Sequence, residues 1–259
     1  MAYVAREQRL VFGEVAELYH SARPSYPAEL IDEVVGLVGS HARAVDAGCG
    51  TGRATVLLAQ RGVRGVGVEP DAAMARVASR NLAQYPGWRV DISNFESWQP
   101  DAAANTFDLV VSAQAWHWFD PDHRFRKAHA LLRPGGWLAL WWNGPADFDS
   151  PARQAISAAY ERHAPEIVHR GVTGHGPPSQ EDAIPADVSF GSPIERTYAW
   201  SRDFSTAEWT DLLRTSSDHR MLPDDRRERL LVAVSAAVDA HGGTYTHRFV
   251  SYLWAAQRT

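Results

Sequence analysis

Along roughly the first 145 residues, short and mostly continuous apolar runs alternate with stretches whose apolar residues recur every three or four positions. The runs Ala42–Ala47, Gly65–Glu69, Trp88–Ile92, Phe107–Ser112 and Gly136–Trp142 predict strands buried on both faces. The periodic stretches predict helices at Ala28–Val38, Thr51–Arg61, Asp71–Tyr85 and Asp122–Leu132. Leu30, Ile31, Val34, Val35 and Val38 form the apolar stripe of the first of these. Regular alternation of strand and helix implies a parallel sheet covered on both sides. Ahead of it, Phe12–Pro27 is a helix-and-turn lead-in broken by Pro24 and Pro27.

The pattern changes beyond residue 145. Ser150–His169 is helical in period, and Gly171–Gln180 is a Gly/Pro-rich stretch without period that suits a mobile lid. Helices are expected at Ser205–Arg214 and Asp224–Ala240, with strands at Ser192–Ser201 and Tyr245–Trp254.

Length and composition narrow the class. A chain of 259 residues with 45% hydrophobic content suffices for one α/β domain carrying an insertion. The expected division is a lead-in at 1–40, a core at 41–145, a cap insertion with the sixth strand at 146–245, and the last strand at 245–259. A net charge of −5 and the lack of a basic stripe argue against a nucleic-acid partner. No run nears a membrane span, and charged Arg6, Glu7 and Arg9 interrupt Met1–Phe12 where a signal peptide needs an apolar centre. The single cysteine suits a reducing compartment, so a cytoplasmic protein, monomer or homodimer, is expected.

The chemistry begins at Ala44–Arg53, where a strand runs into Gly48, Gly50 and Gly52 and opens a helix. Such a loop lets a ligand approach bare backbone. The spacing is G-x-G-x-G; Arg53 stands where a dinucleotide-binding loop has its third glycine, and no Gly-Lys-Ser/Thr follows. Asp46, two positions before Gly48, would repel a pyrophosphate and suits a cationic or hydroxyl-rich ligand. Glu69 lies 21 residues beyond Gly48, ends the second strand and precedes Pro70, which places a carboxylate where it can accept both hydroxyls of a ribose.

At these residues the chain resembles the class I S-adenosylmethionine-dependent methyltransferases. The resemblance rests on Val45–Arg53, Val66–Pro70, Thr106–Val111 and Leu131–Leu138, which follow one another in family order and cover about residues 40–145. It implies a Rossmann-like three-layer sandwich: an α/β fold with a seven-stranded, mostly parallel sheet, an antiparallel last strand and a small helical cap. It also implies S-adenosyl-L-methionine as cofactor, with S-adenosyl-L-homocysteine as product. Within the family, Asn94 and Phe95 match the position that holds adenine, with Asp91 as a competing assignment. Ser112, Ala113 and Gln114 lie beyond the fourth strand, where they could meet the methionine part. The lead-in Tyr19-x-x-Ala22-Arg23-Pro24-x-Tyr26-Pro27 and the run Ala115–Phe119 resemble a branch that includes trans-aconitate methyltransferases, implying a small-molecule substrate.

Each further candidate has two readings. His117 could take a proton from a hydroxyl or amine acceptor, or only donate a hydrogen bond inside an aromatic cluster. Arg23 could bind the methionine carboxylate or an acidic substrate through its two-pronged guanidinium, or form a surface ion pair; Tyr19 is its natural neighbour. Trp118 would line the acceptor side, and Arg214, with His219 and Arg220, could receive an acid or be a solvated helix face. Cys49 could be a nucleophile, but without a base nearby it suits packing in a tight turn. No metal site is expected, because the histidines lack Cys or carboxylate partners at ligand spacing. The resulting expectation is methyl transfer to a carboxylate or hydroxyl oxygen. N- or C-methylation, cofactor binding without transfer (a cyclase or binding module) and a nicotinamide dehydrogenase are the alternatives.

Overall fold

In a computed structural model, the described residues are 11–101, 106–146, 149–167 and 188–259. Seven strands form one sheet: β1 (Arg43–Ala47), β2 (Arg64–Glu69), β3 (Trp88–Ile92), β4 (Phe107–Ala113), β5 (Leu132–Pro145), β6 (Ile194–Ser205) and β7 (Thr244–Gln257), in the order β3-β2-β1-β4-β5-β7-β6. The pairs β1·β2, β1·β4, β2·β3 and β4·β5 are parallel. Backbone bonds from Gly135 to Arg258 and from Ala146 to Arg248 run in opposite senses along β5 and β7, so β7 is antiparallel, as expected.

The helices are α1 (Ala16–Ala22), α2 (Ala28–Val38), α3 (Arg53–Ala59), α4 (Ala72–Asn81), α5 (Arg124–Leu131), α6 (Pro151–His163), α7 (Thr206–Arg214), α8 (Ser217–Arg220) and α9 (Asp224–Asp239). Local chemistry sets their ends. The Asp71 carboxylate accepts from the amides of Ala73 and Met74 and starts α4, while Ser205 and Glu208 cap α7 reciprocally. Helix α3 begins at Arg53 rather than Thr51, because Gly52 is left-handed (φ 79°) and cannot continue a right-handed turn. Leu132, expected to end a helix, opens β5 instead, since Pro134 disfavours helix in the residue before it. The short α8 has too few residues to show a period.

The chain forms two compact units. One comprises Ser25–Trp142, Gly176–Tyr198 and Ser251–Thr259, as far as these are described. Two cores lie within it. Ala44, Leu109, Val111 and Trp141 pack with Leu30, Ile31 and Val34 of α2 and with Leu58 of α3. Val45, Ala47, Val66, Val68 and Val110 pack with Phe125, Ala128 and Leu131 of α5 and with Phe95, Trp116 and Phe119. Alternation along β1 sends Ala44 to one core and Val45 to the other, which gives this unit helices on both sheet faces. The other unit comprises Met1–Pro24, Asn143–His175 and Ala199–Val250, as far as described. Its core joins Ile156 and Tyr160 of α6, Trp209, Leu212 and Leu213 of α7, Leu230, Leu231 and Val234 of α9, and Phe204 and Phe249. The stretch Gly171–Gln180, expected to act as a lid, lies outside the described residues.

Candidate cofactor and active site

The parallel registers bring Ala47, Glu69, Ile92 and Ala113 to one end of the sheet, the carboxyl ends of β1, β2, β3 and β4. The glycine loop begins there. The amides of Gly48 and Cys49 both donate to the Val68 carbonyl, at 2.9 and 3.2 Å, which folds the loop against β2. Gly48 has φ 70°, and a Cβ on it would lie 2.5 Å from the Ala115 Cβ. Neither the backbone nor the space admits a side chain at that position. Cys49 is buried, its Sγ would lie 2.7 Å from a Cβ on Gly67, and burial holds its thiol well above its ordinary pKa. It packs as a protonated thiol.

Two buried carboxylates flank the loop. Glu69 accepts the Gly50 amide at Oε2 and the Asp71 amide at Oε1, both at 2.9 Å. Burial raises it to about 7 against the lowering effect of those two bonds. Asp46 is fully buried; Thr55 donates to its Oδ2 at 2.6 Å, and its Oδ1 has no hydrogen-bond partner among the described residues. Burial raises Asp46 to about 7 as well, against the Thr55 bond. A buried carboxylate oxygen without a donor is costly, and a cationic or N–H-bearing ligand would satisfy it.

Beyond β3, Phe95 is buried among Trp116 and Phe119, whereas Asn94 is exposed. Asp91 is committed elsewhere: Arg89 donates twice to it, at 3.0 and 3.1 Å, and the Trp98 indole donates at 2.9 Å. Beyond β4, the Ser112 hydroxyl donates to the Ala47 carbonyl at 2.9 Å, tying β4 to β1. Gln114 has φ 60°, the one non-glycine residue with positive φ among the described residues, and its amide donates to the Trp141 carbonyl. Such a conformation costs on the order of 1–3 kcal/mol and tends to sit at functional sites. A tight turn, Trp116–Trp118, follows; Trp116 is buried in the aromatic core, and half-buried His117 and Trp118 have ring centroids 4.6 Å apart.

Residues 45–140 match a family described as a methyltransferase domain. An uncharacterised methyltransferase of Mycobacterium tuberculosis is 38% identical over 138 residues, 53% of this chain and 54% of that protein. The trans-aconitate 2-methyltransferase of Deinococcus radiodurans is 34% identical over 140 residues, 52% of this chain and 51% of that protein. Over about half its length the chain is similar to methyltransferases. It spans about half the length of these relatives. Its fold is similar to that of the YcgJ protein of Bacillus subtilis, with a TM-score of 0.54 at 16% identity, covering 90% of this chain and 99% of that one. S-adenosylmethionine is the cofactor of the family.

The other candidate residues lie in the second unit described above. Arg23 donates from Nε to the Thr215 hydroxyl at 2.9 Å and from Nη2 to the Thr215 carbonyl at 2.8 Å, and its guanidinium lies 5.0 Å from the Tyr19 ring centroid. It meets no carboxylate among the described residues. The patch of Arg214, His219 and Arg220 is not a free cationic face. Arg214 forms a two-pronged pair with Glu228, Arg220 pairs with Glu14, and His219 is buried with its Nε2 2.7 Å from the Tyr160 hydroxyl. Burial lowers His219 to about 3, so it is neutral. Among the described residues no group of His, Cys, Asp and Glu could hold a metal ion, and no helix is long and apolar enough to cross a membrane.

Sequence reasoning missed Ile92 and Thr55. Ile92 is the register partner of Glu69 and is 61% exposed, an apolar surface beside the carboxylate. In sequence it is one more apolar strand residue. The partnership of Thr55 with Asp46 bridges nine residues and depends on the turn between them.

Proposed function

We propose that this chain transfers methyl from S-adenosylmethionine to an oxygen of a small-molecule acceptor, with a carboxylate as the acceptor group. The observation that carries this reading is the pairing of Glu69 with Gly50 at the end of β2, beside exposed Ile92 and the undonated Oδ1 of Asp46. A nucleoside carrying a cation fits that set: hydroxyls for the remaining lone pairs of Glu69, a flat apolar face for Ile92, a positive or N–H-bearing group for Asp46. S-adenosylmethionine, when bound, supplies an electrophilic methyl group on a sulfonium.

In this reading Gly48, Gly50 and Gly52 keep the loop bare, and Asp46, Glu69 and Pro70 hold the polar part of the cofactor. Asn94 and Phe95 flank adenine, while Ser112, Ala113 and Gln114 border the methionine part. Arg23, resting on Thr215 and Tyr19, grips an acidic ligand. Residues 41–145 act as the cofactor core and 146–245 supply acceptor selectivity within one methyltransferase. Trp118 belongs to the acceptor side; within the other unit, the pairing of Arg214 with Glu228 makes it a residue that must change partner to act on an acid.

A carboxylate acceptor is already ionised at neutral pH and needs no base, so His117 orients rather than deprotonates. The trans-aconitate 2-methyltransferase relatives carry a carboxylate substrate in their name, which supports the choice. The test is incubation with methyl-labelled S-adenosylmethionine and a panel of small di- and tricarboxylic acids. The expected product is a labelled methyl ester, released as methanol by alkali. Label in an alkali-stable product would move the acceptor to nitrogen, carbon or a hydroxyl, and cofactor binding without any labelled product would make the chain a binding module.

A further inference from the structure

At the opposite end of the sheet, the starts of β1, β2, β3 and β4, lies a cavity of about 340 Å³. Its lining includes Arg43, Arg64, Arg89, Asp101 and Phe107. The registers Arg43↔Arg64 and Val66↔Arg89 set the three arginines on one face of three adjacent strands, since residues two apart share a face. Three cations are thus gathered in a chain whose net charge is −5.

The carboxylates nearby do not neutralise all of them. Arg89 is satisfied, bonded to Asp91 and, at 2.9 Å, to Asp101. Asp108 spends Oδ2 on the Arg43 backbone amide at 2.7 Å and Oδ1 on Arg133 at 2.6 Å. It acts on Arg64 only through space. The Arg43 guanidinium lies instead over the Phe107 ring, 4.7 Å from its centroid, and the Arg64 guanidinium has no hydrogen bond or ion pair among the described residues, while its backbone amide donates to the Ala42 carbonyl. Like charges at register positions of neighbouring strands repel, and two guanidinium forks without carboxylates suit two-pronged binding of carboxylate or phosphate oxygens. The volume falls at the lower end of the range for small-molecule sites.

We infer that this cavity binds a small polyanionic molecule through phosphate or carboxylate oxygens held by Arg43 and Arg64, at a site separate from the cofactor end of the sheet. Arg89, fixed by Asp91 and Asp101, forms its wall. The inference does not depend on the acceptor proposed above.

The experiment is isothermal titration of the full chain with pyrophosphate, inorganic phosphate and citrate in chloride buffer of constant ionic strength. Saturable binding is expected, with the phosphate and citrate arms telling which oxyanion is preferred. It should weaken by about tenfold or more in Arg43→Gln/Arg64→Gln and stay unchanged in Arg229→Gln, which removes one positive charge from the exposed Arg229–Asp225 pair and matches the charge change of Arg64→Gln alone. Thermal unfolding followed by circular dichroism checks that the variants are folded. Should the double variant not fold, Arg64→Gln alone, at an exposed position, carries the comparison. Heats no larger than those of chloride for every probe, or binding indifferent to both variants, would overturn the inference.

Discussion

The amide of Gly50 donates to the Glu69 carboxylate at 2.9 Å, joining a loop that follows β1 to the last residue of β2. That bond fixes the loop's tip against the next strand and brings a buried anion within reach of whatever the loop cradles. The Asp71 amide holds the other oxygen, so the same carboxylate also anchors the turn into α4. Loop, carboxylate and helix are one unit, and changes to any of them should be felt in cofactor binding.

The glycines of this loop are not equivalent. A Cβ at Gly48 would meet Ala115 at 2.5 Å, whereas one at Gly50 would meet only the flexible end of Met74 at 3.6 Å. Gly50→Ala should therefore cost about 1–2 kcal/mol, the strain of a left-handed residue. Gly48→Ala should cost that plus a clash between two packed segments, and lower the melting temperature further. Equal melting temperatures for the two variants would contradict the packing described for Gly48.

Asp46 and Glu69 both sit near 7 in the folded chain, above their ordinary values. Between the unfolded range near 4 and the folded value, the native state holds protons that the unfolded state has released. The unfolding free energy therefore falls as pH rises through this window. Buried His219 and His247, held near 3 and 4 by burial, act in the opposite sense, removing stability as pH falls below about 6.5. The contribution of Asp46 is isolated by difference: urea unfolding of the wild type and Asp46→Asn between pH 4.5 and 8 should show the variant gaining relative stability as pH rises. A constant difference across that range would show that Asp46 does not titrate there.

His117 separates two acceptor chemistries. With a carboxylate acceptor, His117→Gln should change kcat by less than about tenfold, because no proton leaves the nucleophile. With a hydroxyl acceptor, loss of a general base should lower kcat by roughly 10²–10⁴-fold and remove a limb of the pH profile. Steady-state kinetics of the variant over pH 5.5–9 distinguishes them.

Much of the sheet was legible because continuous apolar runs such as Leu109–Val111 can be buried only with cover on both faces, and β1 to β5 emerged in place. The glycine loop and Glu69 were legible because both combine an unusual residue with a strand end. Contacts between distant segments were not. Nothing local in Gly48 announces Ala115, and nothing in His219 announces Tyr160, 59 residues away, so a buried neutral pair looked like part of a basic patch. Ile92 reads as core until its strand is seen to end at the open edge of the sheet. The arginines at the strand starts are unremarkable one by one and become a cluster only through parallel register.

The central claim is that the Gly48–Gly52 loop and Glu69 hold S-adenosylmethionine. Isothermal titration of the wild type and Glu69→Ala with S-adenosylhomocysteine tests it directly, with NADH as the competing ligand. The predicted result is saturable binding of S-adenosylhomocysteine, none of NADH, and a loss of about 1–3 kcal/mol in the variant, the scale of hydrogen bonds to a charged group. No binding of S-adenosylhomocysteine, or an affinity unchanged by Glu69→Ala, would contradict it.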